Sequence, residues 1–397
     1  MHSEMIQKQP ESIPSAYLPG REEAYHLDKV ATDNYIAHTQ IGDPVMDAIV
    51  EELAPLPQNH THRFIAAGMN GDHDGLQNAP KLLRDFFLST PPKPEWLDYD
   101  AFRLGIRAFQ RNARFILPAF VTGVLIDGFS TLISQSFAQT GRIFDNGVWR
   151  LKQNNRHQLE IFWPDGLKKY GDGWKLSVRI RFVHAQVRRL LDQTSKWDHE
   201  AWGVPISAAH TAYATACFAT RALDYSKLLG ARYSTEERAS YHAVWRYTGH
   251  LMGVPETILF ANESDSQKLY HIGASCEPPP TQEAILAANA LINSAPLVAG
   301  ITDTNERKKL VDKVIYPVAR GLVGKKLADD LKFPRNKIPF PLLSFRLSQK
   351  IQGLKIKLQK ESSSTNFGAL LEASAYHEAG ISYRLPNHAH AERSGKW

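Results

Sequence analysis

The spacing of apolar residues along the chain predicts a mostly helical protein. The clearest case is the stretch 175–193, KLSVRIRFVHAQVRRLLDQ, where apolar residues recur at three- and four-residue intervals, the pattern of a helix with one buried face. Those residues are Ile180, Val183, Val187, Leu190 and Leu191. Similar periodicity, bounded by capping residues, glycine or proline, predicts further helices at 43–54, 81–88, 99–112, 115–138, 207–229, 234–252, 281–295 and 306–321. No internal repeat is visible and alternating strand patterns are few, so the predicted fold class is all-α.

Composition narrows the class of protein. A chain of 397 residues can bury a substantial core in one large domain or two ordinary ones. Its 43% hydrophobic and 22% charged residues are typical of a soluble globular protein. The two cysteines, Cys217 and Cys276, do not form a CxxC pair, which argues against a disulfide scaffold and against a zinc site made of thiolates.

The net charge of +6 is unevenly distributed. The segment 305–360 contains fifteen Lys or Arg against four Asp or Glu, a net charge of +11, so the rest of the chain carries −5. If residues 344–360 are helical, an apolar stripe lies beside basic residues: Leu347, Ile351, Leu354 and Leu358 beside Arg346, Lys350, Lys357 and Lys360. This pattern favours peripheral contact with an anionic membrane surface, and the alternative is a helix packed on the main domain with its lysines in water. Aromatic residues are not interleaved with these charges, so nucleic acid is not an expected partner.

The two ends of the chain differ in character from its middle. The N-terminal sequence MHSEMIQKQPESIPS lacks the charged start and continuous apolar core of a secretory signal. The most apolar segment, 115–126, is shorter than the roughly 20 residues that span a membrane, and Asp127 closes it. We therefore expect an intracellular protein, cytoplasmic or peripherally attached to a membrane. The predicted organisation is a polar tail at 1–30, a helical domain at 31–300 and a basic helical extension and tail at 301–397.

A histidine framed by two arginines is the main candidate for chemistry. His184 lies in the apolar stripe of the 175–193 helix, with Arg181 three residues before it and Arg188 four residues after it, so all three emerge on one side. One interpretation is a core histidine, with the arginines paired to acids on a neighbouring helix. The other is an imidazole that binds a metal, with guanidinium groups holding the anionic groups of its carrier, as haem would require.

Several motifs bear on this choice. The run Arg181-x-x-His184-x-x-x-Arg188 is preceded by Arg150 in VWRLKQN and followed by WGVPIS, and IGDPVMDAIV, PEWLDYDAFRLGIRAF, AQTGR and YHAVWRYTGHLMGVPE occur in the same order. Over about residues 40 to 260, the chain resembles the catalytic domain shared by rubber oxygenases (latex clearing proteins) and the fungal mpaB-type oxygenases. The arginine and histidine helix is the most specific part of this resemblance.

The resemblance implies a single large helical domain that encloses a haem pocket. It implies b-type haem, with His184 as the axial ligand of the iron and with Arg181 and Arg188 neutralising the haem carboxylates. Family residues matched by Arg150 and Thr215 lie near the haem, although a threonine such as Thr215 is also common at helical interfaces. The implied activity is O2-dependent oxidation of a hydrophobic small molecule or polyisoprenoid, with oxidative cleavage of a carbon–carbon double bond as one expected reaction.

The chain departs from the family pattern on the oxygen side of the iron. The family has a lysine three residues after the matched arginine and a threonine beside it, where this chain has Gln153 and Asn154. A lysine can occupy the distal position of the iron or yield it to oxygen, and Gln153 would do so more weakly. Gln153 and Asn154 either contact the oxygen side or simply end a helix.

A further departure concerns the catalytic acid. The acidic residue that rubber oxygenases carry on the preceding helix is matched here by Ser134. Asp127 lies seven residues earlier on nearly the same helix face. Burial in an apolar run would raise the pKa of its carboxyl group, so the carboxylate could accept a proton as a general base. The alternative is that Asp127 caps the next segment or pairs with Arg142.

The family's lysine, threonine and acid are not retained at their matched positions. An alternative function without catalysis is therefore compatible with the sequence. The chain could be a noncatalytic haem- or lipid-binding helical protein that retains the oxygenase fold. Other histidines are weaker candidates: His60, His62, His388 and His390 lie in polar segments, and His210, His242 and His250 lie in predicted helices without flanking arginines.

Overall fold

The structure is a computed structural model that describes residues 13–89, 93–139, 147–298, 300–335 and 338–358, with side chains described for all of these except 147–150 and 352–358. Within these ranges regular structure is entirely helical, so the predicted all-α class is confirmed. The α-helices in chain order are α1 Leu18–Leu27, α2 Lys29–His38, α3 Pro44–Leu53, α4 Gln58–Asn70, α5 Lys81–Leu88, α6 Arg103–Ala119, α7 Leu125–Phe129, α8 Ile133–Gln139, α9 Gly147–Ile161, α10 Asp172–Asp192, α11 His199–Trp202, α12 Ala208–Leu229, α13 Thr235–Leu251, α14 Glu263–Cys276, α15 Gln282–Val298, α16 Thr304–Leu310, α17 Tyr316–Val323, α18 Lys325–Asp330 and α19 Pro341–Leu358.

The helices pack around two apolar clusters that form one domain. The main cluster takes residues from most helices, including α6, α9, α12, α13 and α15. The second cluster joins α3, α4 and α5 to one face of α10. Trp202 and Leu251 contact both clusters, and α10 also packs against α9 of the main cluster. The histidine helix therefore lies at the junction of the two clusters.

The long apolar helix predicted at 115–138 is interrupted in the structure. α6 passes through a π-helical turn, Phe120–Val124, into α7, and the chain then breaks before α8 begins. Pro118 lies just before this turn, and its missing N–H removes one helical hydrogen bond, which favours a local irregularity. Among the described residues, the segment Asp100–Phe129 is long and apolar enough to span a membrane, but 83% of its most apolar window is buried within the protein, as in a core helix.

The segment assigned from sequence to a polar tail differs in the structure. Residues 15–27 are helical, and Tyr17 and Ala24 are fully buried in the main cluster. Gly20 lies so close to α14 that a Cβ there would sit 2.1 Å from the carbonyl oxygen of Ser275. The polar residues of this segment cover its outer face, and a few small or aromatic residues are enough to dock it.

Predicted helix ends are confirmed where capping chemistry is strong. The Ser234 side chain accepts from the backbone N–H of Glu237, and the Glu237 carboxylate accepts from the N–H of Ser234, which starts α13 with a complete capping box. α12 begins at the N-cap Ser207 and ends before Gly230, which has φ +119°. Both cysteines are buried and free.

The apolar core continues beyond the boundary predicted at residue 300. α16 and α17 are joined by a π-helical turn, Val311–Ile315, and this region contributes Val311, Tyr316 and Ala319 to the main cluster. α19 packs against α12 and α17. The described helices of this region are therefore part of the same packed body.

Candidate functional site

α9 and α10 form an antiparallel helical hairpin whose register is set by two contacts. A Cβ on Gly173 would lie 2.6 Å from the carbonyl oxygen of Glu160, so only glycine allows this close approach. One turn further on, His157 Nε2 lies 2.9 Å from Ser177 Oγ. Because the helices are antiparallel, residues earlier in α9 face residues later in α10.

In this register, the predicted site residues of α9 and α10 occur in pairs at matching heights along the hairpin. Gln153 is four residues before His157, and Arg181 is four residues after Ser177. Arg150 and His184 follow at seven residues in each direction, so the backbone of Arg150 in α9 lies at the level of His184; the side chain of Arg150 falls outside the described residues. His184 is partly exposed, although its stripe neighbours Val183 and Val187 are buried.

Gln153 and Asn154 do not end a helix. α9 continues to Ile161, so the interpretation that these two residues form a helix terminus is wrong. Gln153 is buried and Asn154 is partly exposed. Both belong to the hairpin that carries Arg150 and His184, and their assignment to the oxygen side stays a prediction.

The two arginines that frame His184 are bound to aspartates of the α3 region. Arg181 donates from Nε and Nη2 to Asp43 Oδ2 and Oδ1 at 2.5 and 2.8 Å. Arg188 donates from Nε and Nη2 to Asp47 Oδ1 at 2.8 and 2.7 Å, and from Nη1 to the carbonyl of Ile206 at 2.6 Å. The alternative in which the arginines pair with acids of a neighbouring helix is therefore the arrangement seen in the structure.

This pairing changes the expected role of the arginines. The side chains of Arg188, Asp43 and Arg181 are only 5, 8 and 16% exposed. Asp47 is more exposed, at 35%. The Asp43–Arg181 pair is thus largely desolvated, and separating a desolvated pair is unfavourable. The assignment of Arg181 and Arg188 to haem carboxylates stays a prediction, and it would require displacing Asp43 and Asp47.

Thr215 is fully buried in the middle of α12. Its hydroxyl donates to the carbonyl of Thr211 at 2.7 Å. A Cβ on Gly249 of α13 would lie 3.0 Å from Thr215 Cγ2, so the threonine lies at a close crossing of the two helices. This is the interface position that the sequence also allowed, and a contact with haem stays a prediction.

Asp127 is a buried carboxylate with three hydrogen-bond donors. It accepts from Tyr225 Oη at 2.7 Å, from Tyr270 Oη at 3.2 Å and from Arg221 Nε at 3.2 Å. Burial raises its pKa above the usual range, while the charge of Arg221 and the hydroxyl of Tyr225 oppose this rise. The structure thus favours structural pairing, with Arg221 as partner; Arg142 falls outside the described residues. Ser134 is fully buried and donates to the carbonyl of Thr131 at 2.8 Å.

His157 was not identified from the sequence. Ser177 Oγ donates to the carbonyl of Gly173 at 2.7 Å, so its single hydrogen is used and His157 Nε2 must donate to Ser177. Burial lowers the pKa of His157 to about 3, so the ring is neutral. Its position one helical turn after Gln153 was the only available sequence signal.

A buried polar cluster around Glu277 was also missed. Glu277 Oε1 accepts from Tyr35 Oη at 3.0 Å and lies 3.1 Å from His210 Nε2, and Oε2 accepts from the backbone N–H of Leu132 at 3.0 Å. Tyr17 Oη lies 2.9 Å from the same nitrogen of His210. These residues are far apart in sequence, and no local pattern links them.

Comparison with known proteins agrees with this architecture. Residues 106–346 match the family model described as "ER-bound oxygenase mpaB/B'/Rubber oxygenase, catalytic domain". The matched range starts later and ends later than the resemblance seen in the sequence, and it extends into α19. It therefore runs beyond the boundary predicted at residue 300.

Individual relatives give the same result. A rubber oxygenase of Streptomyces sp. (strain K30) is 25% identical over 253 residues, which are 60% of this chain and 60% of that relative. The match thus spans less than two thirds of the relative's length. A solved structure of latex clearing protein LCP in the closed state has the same fold, with a TM-score of 0.65 and 19% identity over 88% of this chain and 95% of that one. Since the family model covers more than half of the chain, the protein belongs to the family of the mpaB and rubber oxygenase catalytic domain.

Proposed function

We propose that the protein is a haem b-dependent oxygenase that acts with O2 on an apolar unsaturated substrate, such as a prenyl chain, and cleaves a carbon–carbon double bond. The observation that carries the proposal is the position of His184. In a chain of this family, it presents a partly exposed imidazole from an otherwise buried helix face, level with Arg150 on α9. The substrate class follows from the name of the rubber oxygenase relative.

The side chains present fit a haem iron better than a metal held by protein alone. A site built only from side chains needs three or more ligands, and the described part of the chain contains no such group of His, Cys, Asp or Glu. A porphyrin supplies four nitrogens, so a single imidazole is a sufficient protein ligand. We propose His184 Nε2 or Nδ1 as that ligand. Arg181 and Arg188 fit haem carboxylates less well, because aspartates already bind them.

The proposed roles of the protein side chains follow from their positions. When bound, haem iron would supply the binding and activation of O2. Gln153 offers a neutral amide rather than an ammonium group on the facing helix, so it would donate a hydrogen bond without adding charge. Asn154 and Arg150 would complete the polar side of the pocket. The apolar residues of both clusters would exclude water from the substrate.

We also propose peripheral contact with an anionic membrane through α19. Leu342 and Phe345 pack against the main cluster, yet the opposite side of the helix is apolar and exposed. The exposed fractions there are 51% for Leu343, 50% for Leu347 and 55% for Ile351, and Phe340, just before the helix, is 76% exposed. The side chains of Leu354 and Leu358 lie outside the described residues. A helix that is apolar on both sides, in a segment of charge +11, has the composition of an interfacial helix.

The membrane contact can be tested by flotation with vesicles that contain phosphatidylserine. We expect wild-type protein to float and Leu347→Asp to stay behind. Leu286→Asp, at a leucine that is 47% exposed on α15, is the matched control and should float. Equal flotation of both variants would contradict the contact.

A noncatalytic haem- or lipid-binding protein is the second candidate function. The observation that favours it is the replacement of the family's lysine, threonine and acid by Gln153, Asn154 and Ser134. Haem binding without turnover of any alkene would support this candidate over the oxygenase.

Two measurements test the main proposal. The visible absorption spectrum of protein from haem-supplied cells should contain a Soret band, and His184→Ala should lose it. Oxygen consumption with squalene or a farnesylated phenol should then exceed that of the His184→Ala control. A colourless wild-type protein, or a full Soret band in His184→Ala, would overturn the assignment.

A further inference from the structure

We infer that Asp43 and Asp47 are positioning residues for His184, acting through a clamp of two ion pairs that holds α10 on both sides of the imidazole. The clamp consists of the pairs Asp43–Arg181 and Asp47–Arg188. The inference rests on the proposed function, because His184 is there the ligand of the iron. It gives the two arginines a role different from binding haem carboxylates.

The two carboxylates are themselves fixed in place. Asp43 is the N-cap of α3, and its Oδ1 accepts from the backbone N–H of Met46 at 3.1 Å. Asp47 Oδ2 accepts from the backbone N–H of Asp43 at 2.9 Å. The start of α3 therefore presents both acids as one rigid unit.

Two glycines, Gly42 and Gly253, lie so close to the ion pairs that a larger side chain at either position would collide with them. A Cβ on Gly42 would lie 2.6 Å from Asp47 Oδ2 and 2.7 Å from Arg188 Nε. A Cβ on Gly253, at the end of α13, would lie 2.3 Å from Asp43 Oδ2 and 2.6 Å from Arg181 Nε. Three segments of the chain thus close tightly around the two ion pairs.

The clamp controls the direction of the imidazole through helix geometry. At 3.6 residues per turn, Arg181 and Arg188 point within about 60° and about 40° of the direction of His184, one turn away on either side. A rotation or a slide of α10 that moved His184 would have to stretch both ion pairs. Bidentate hydrogen bonds between a guanidinium group and a carboxylate are directional, so they resist such a movement.

The clamp also explains why two distant sequence motifs occur together. IGDPVMDAIV supplies Gly42, Asp43 and Asp47, and the histidine helix supplies Arg181 and Arg188. IGDPVMDAIV contains no Lys or Arg, and the hydrogen bonds of Arg181 and Arg188 to carboxylates go to Asp43 and Asp47 of that motif. Each motif is completed by the other.

The test uses Asp43→Asn and Asp47→Asn, which keep the shape of each side chain and remove its charge. Arg238→Gln is the matched control, since Arg238 pairs with Glu263 between α13 and α14 at a similar exposure. All three variants should be less stable. Only the two clamp variants should shift the iron–histidine stretching band in the resonance Raman spectrum and speed haem dissociation about 10- to 100-fold.

A second readout does not depend on haem. In haem-free protein with labelled histidines, the ring signal that disappears in His184→Gln should shift in both clamp variants and stay in place in Arg238→Gln. A wild-type protein that takes up no haem would overturn the proposed function, and this ring signal would still decide the clamp.

Unchanged properties in the clamp variants would contradict the inference. An unchanged stretching band, dissociation rate and ring signal in folded Asp43→Asn and Asp47→Asn would overturn the inference. If these variants do not fold, Arg181→Lys and Arg188→Lys replace them, because lysine keeps the charge but loses the two-pronged contact. The same shifts, in smaller measure, are then expected, and wild-type values would again overturn the clamp.

Discussion

His157 donates from Nε2 to the hydroxyl of Ser177 at 2.9 Å, and this bond ties α9 to α10 two helical turns from His184. The hydroxyl of Ser177 in turn donates a hydrogen bond to the carbonyl of Gly173. The pair is buried, and burial lowers the pKa of His157 to about 3, so the imidazole is neutral.

The first prediction concerns the pH dependence that follows from this pair. The pKa of His157 falls from 6.5 to about 3 on burial, so between these values the unfolded chain binds a proton that the folded chain does not. The free energy of unfolding should therefore fall as the pH falls from 6.5 towards 3, by about 1.4 kcal/mol per pH unit from this group. Urea unfolding of wild type and His157→Gln at several pH values measures it. Parallel pH profiles would show that His157 makes no such contribution.

A second prediction concerns the buried cluster around Glu277. Glu277→Ala would leave Tyr35 Oη and the N–H of Leu132 without their acceptor in a desolvated site, and it would remove the carboxylate beside His210. We expect a loss of about 3–5 kcal/mol in the free energy of unfolding. Glu256→Ala removes a comparable contact to His250 at a half-exposed carboxylate and should lower stability by less than about 1 kcal/mol. Denaturant unfolding of the two variants should separate them clearly, and equal losses would contradict the role of burial.

The third prediction separates backbone strain from crowding at Gly253. Gly253 and Gly300 have φ of +86° and +78°, but only Gly253 has neighbours that a Cβ would meet, whereas Gly300 has open space. Gly300→Ala should lower stability by about 1 kcal/mol through strain alone. Gly253→Ala should lower it by a further ~1–3 kcal/mol, because the new methyl group presses on Asp43 and Arg181. Similar melting temperatures for the two variants would mean that the crowding is relieved by a small shift.

The fourth prediction compares two tyrosines that donate to aspartates. Tyr225 binds the buried Asp127, whereas Tyr25 binds Asp33 at the surface. Tyr225→Phe should lower stability by about 1–3 kcal/mol, since the buried carboxylate loses a donor that water cannot replace. Tyr25→Phe should change it by less than about 0.5 kcal/mol. Thermal unfolding measures both changes. Wild-type stability in Tyr225→Phe would mean that Arg221 and Tyr270 alone satisfy the Asp127 carboxylate.

Local patterns predicted much of the helical framework, because capping and periodicity act within a few residues. The capping box of α13 and the inward stripe of α10 were visible in the chain for this reason. The N-terminal helices were missed, because α1 docks through few buried residues and its helical pattern is weak. The break after Phe129 was missed as well, since the apolar pattern continues across it.

The candidate site was only partly predictable for a similar reason. The frame of Arg181 and Arg188 around His184 follows from helical spacing, but their partners Asp43 and Asp47 lie about 140 residues away. Asp127 was recognised as a carboxylate in an apolar run, yet its described ion-pair partner, Arg221, lies 94 residues further along the chain. In both cases the charge was visible and the counter-charge was not.

The sequence by itself determined that the chain is helical, that His184 lies among the apolar positions of α10, and that two arginines flank it. Only the tertiary structure decided that those arginines are neutralised by α3, that His157 is held neutral, and that Glu277 joins three distant segments. The physical reason is range: helix propensity and capping depend on neighbours in the chain, whereas ion pairing and burial depend on which segments the packed core brings together.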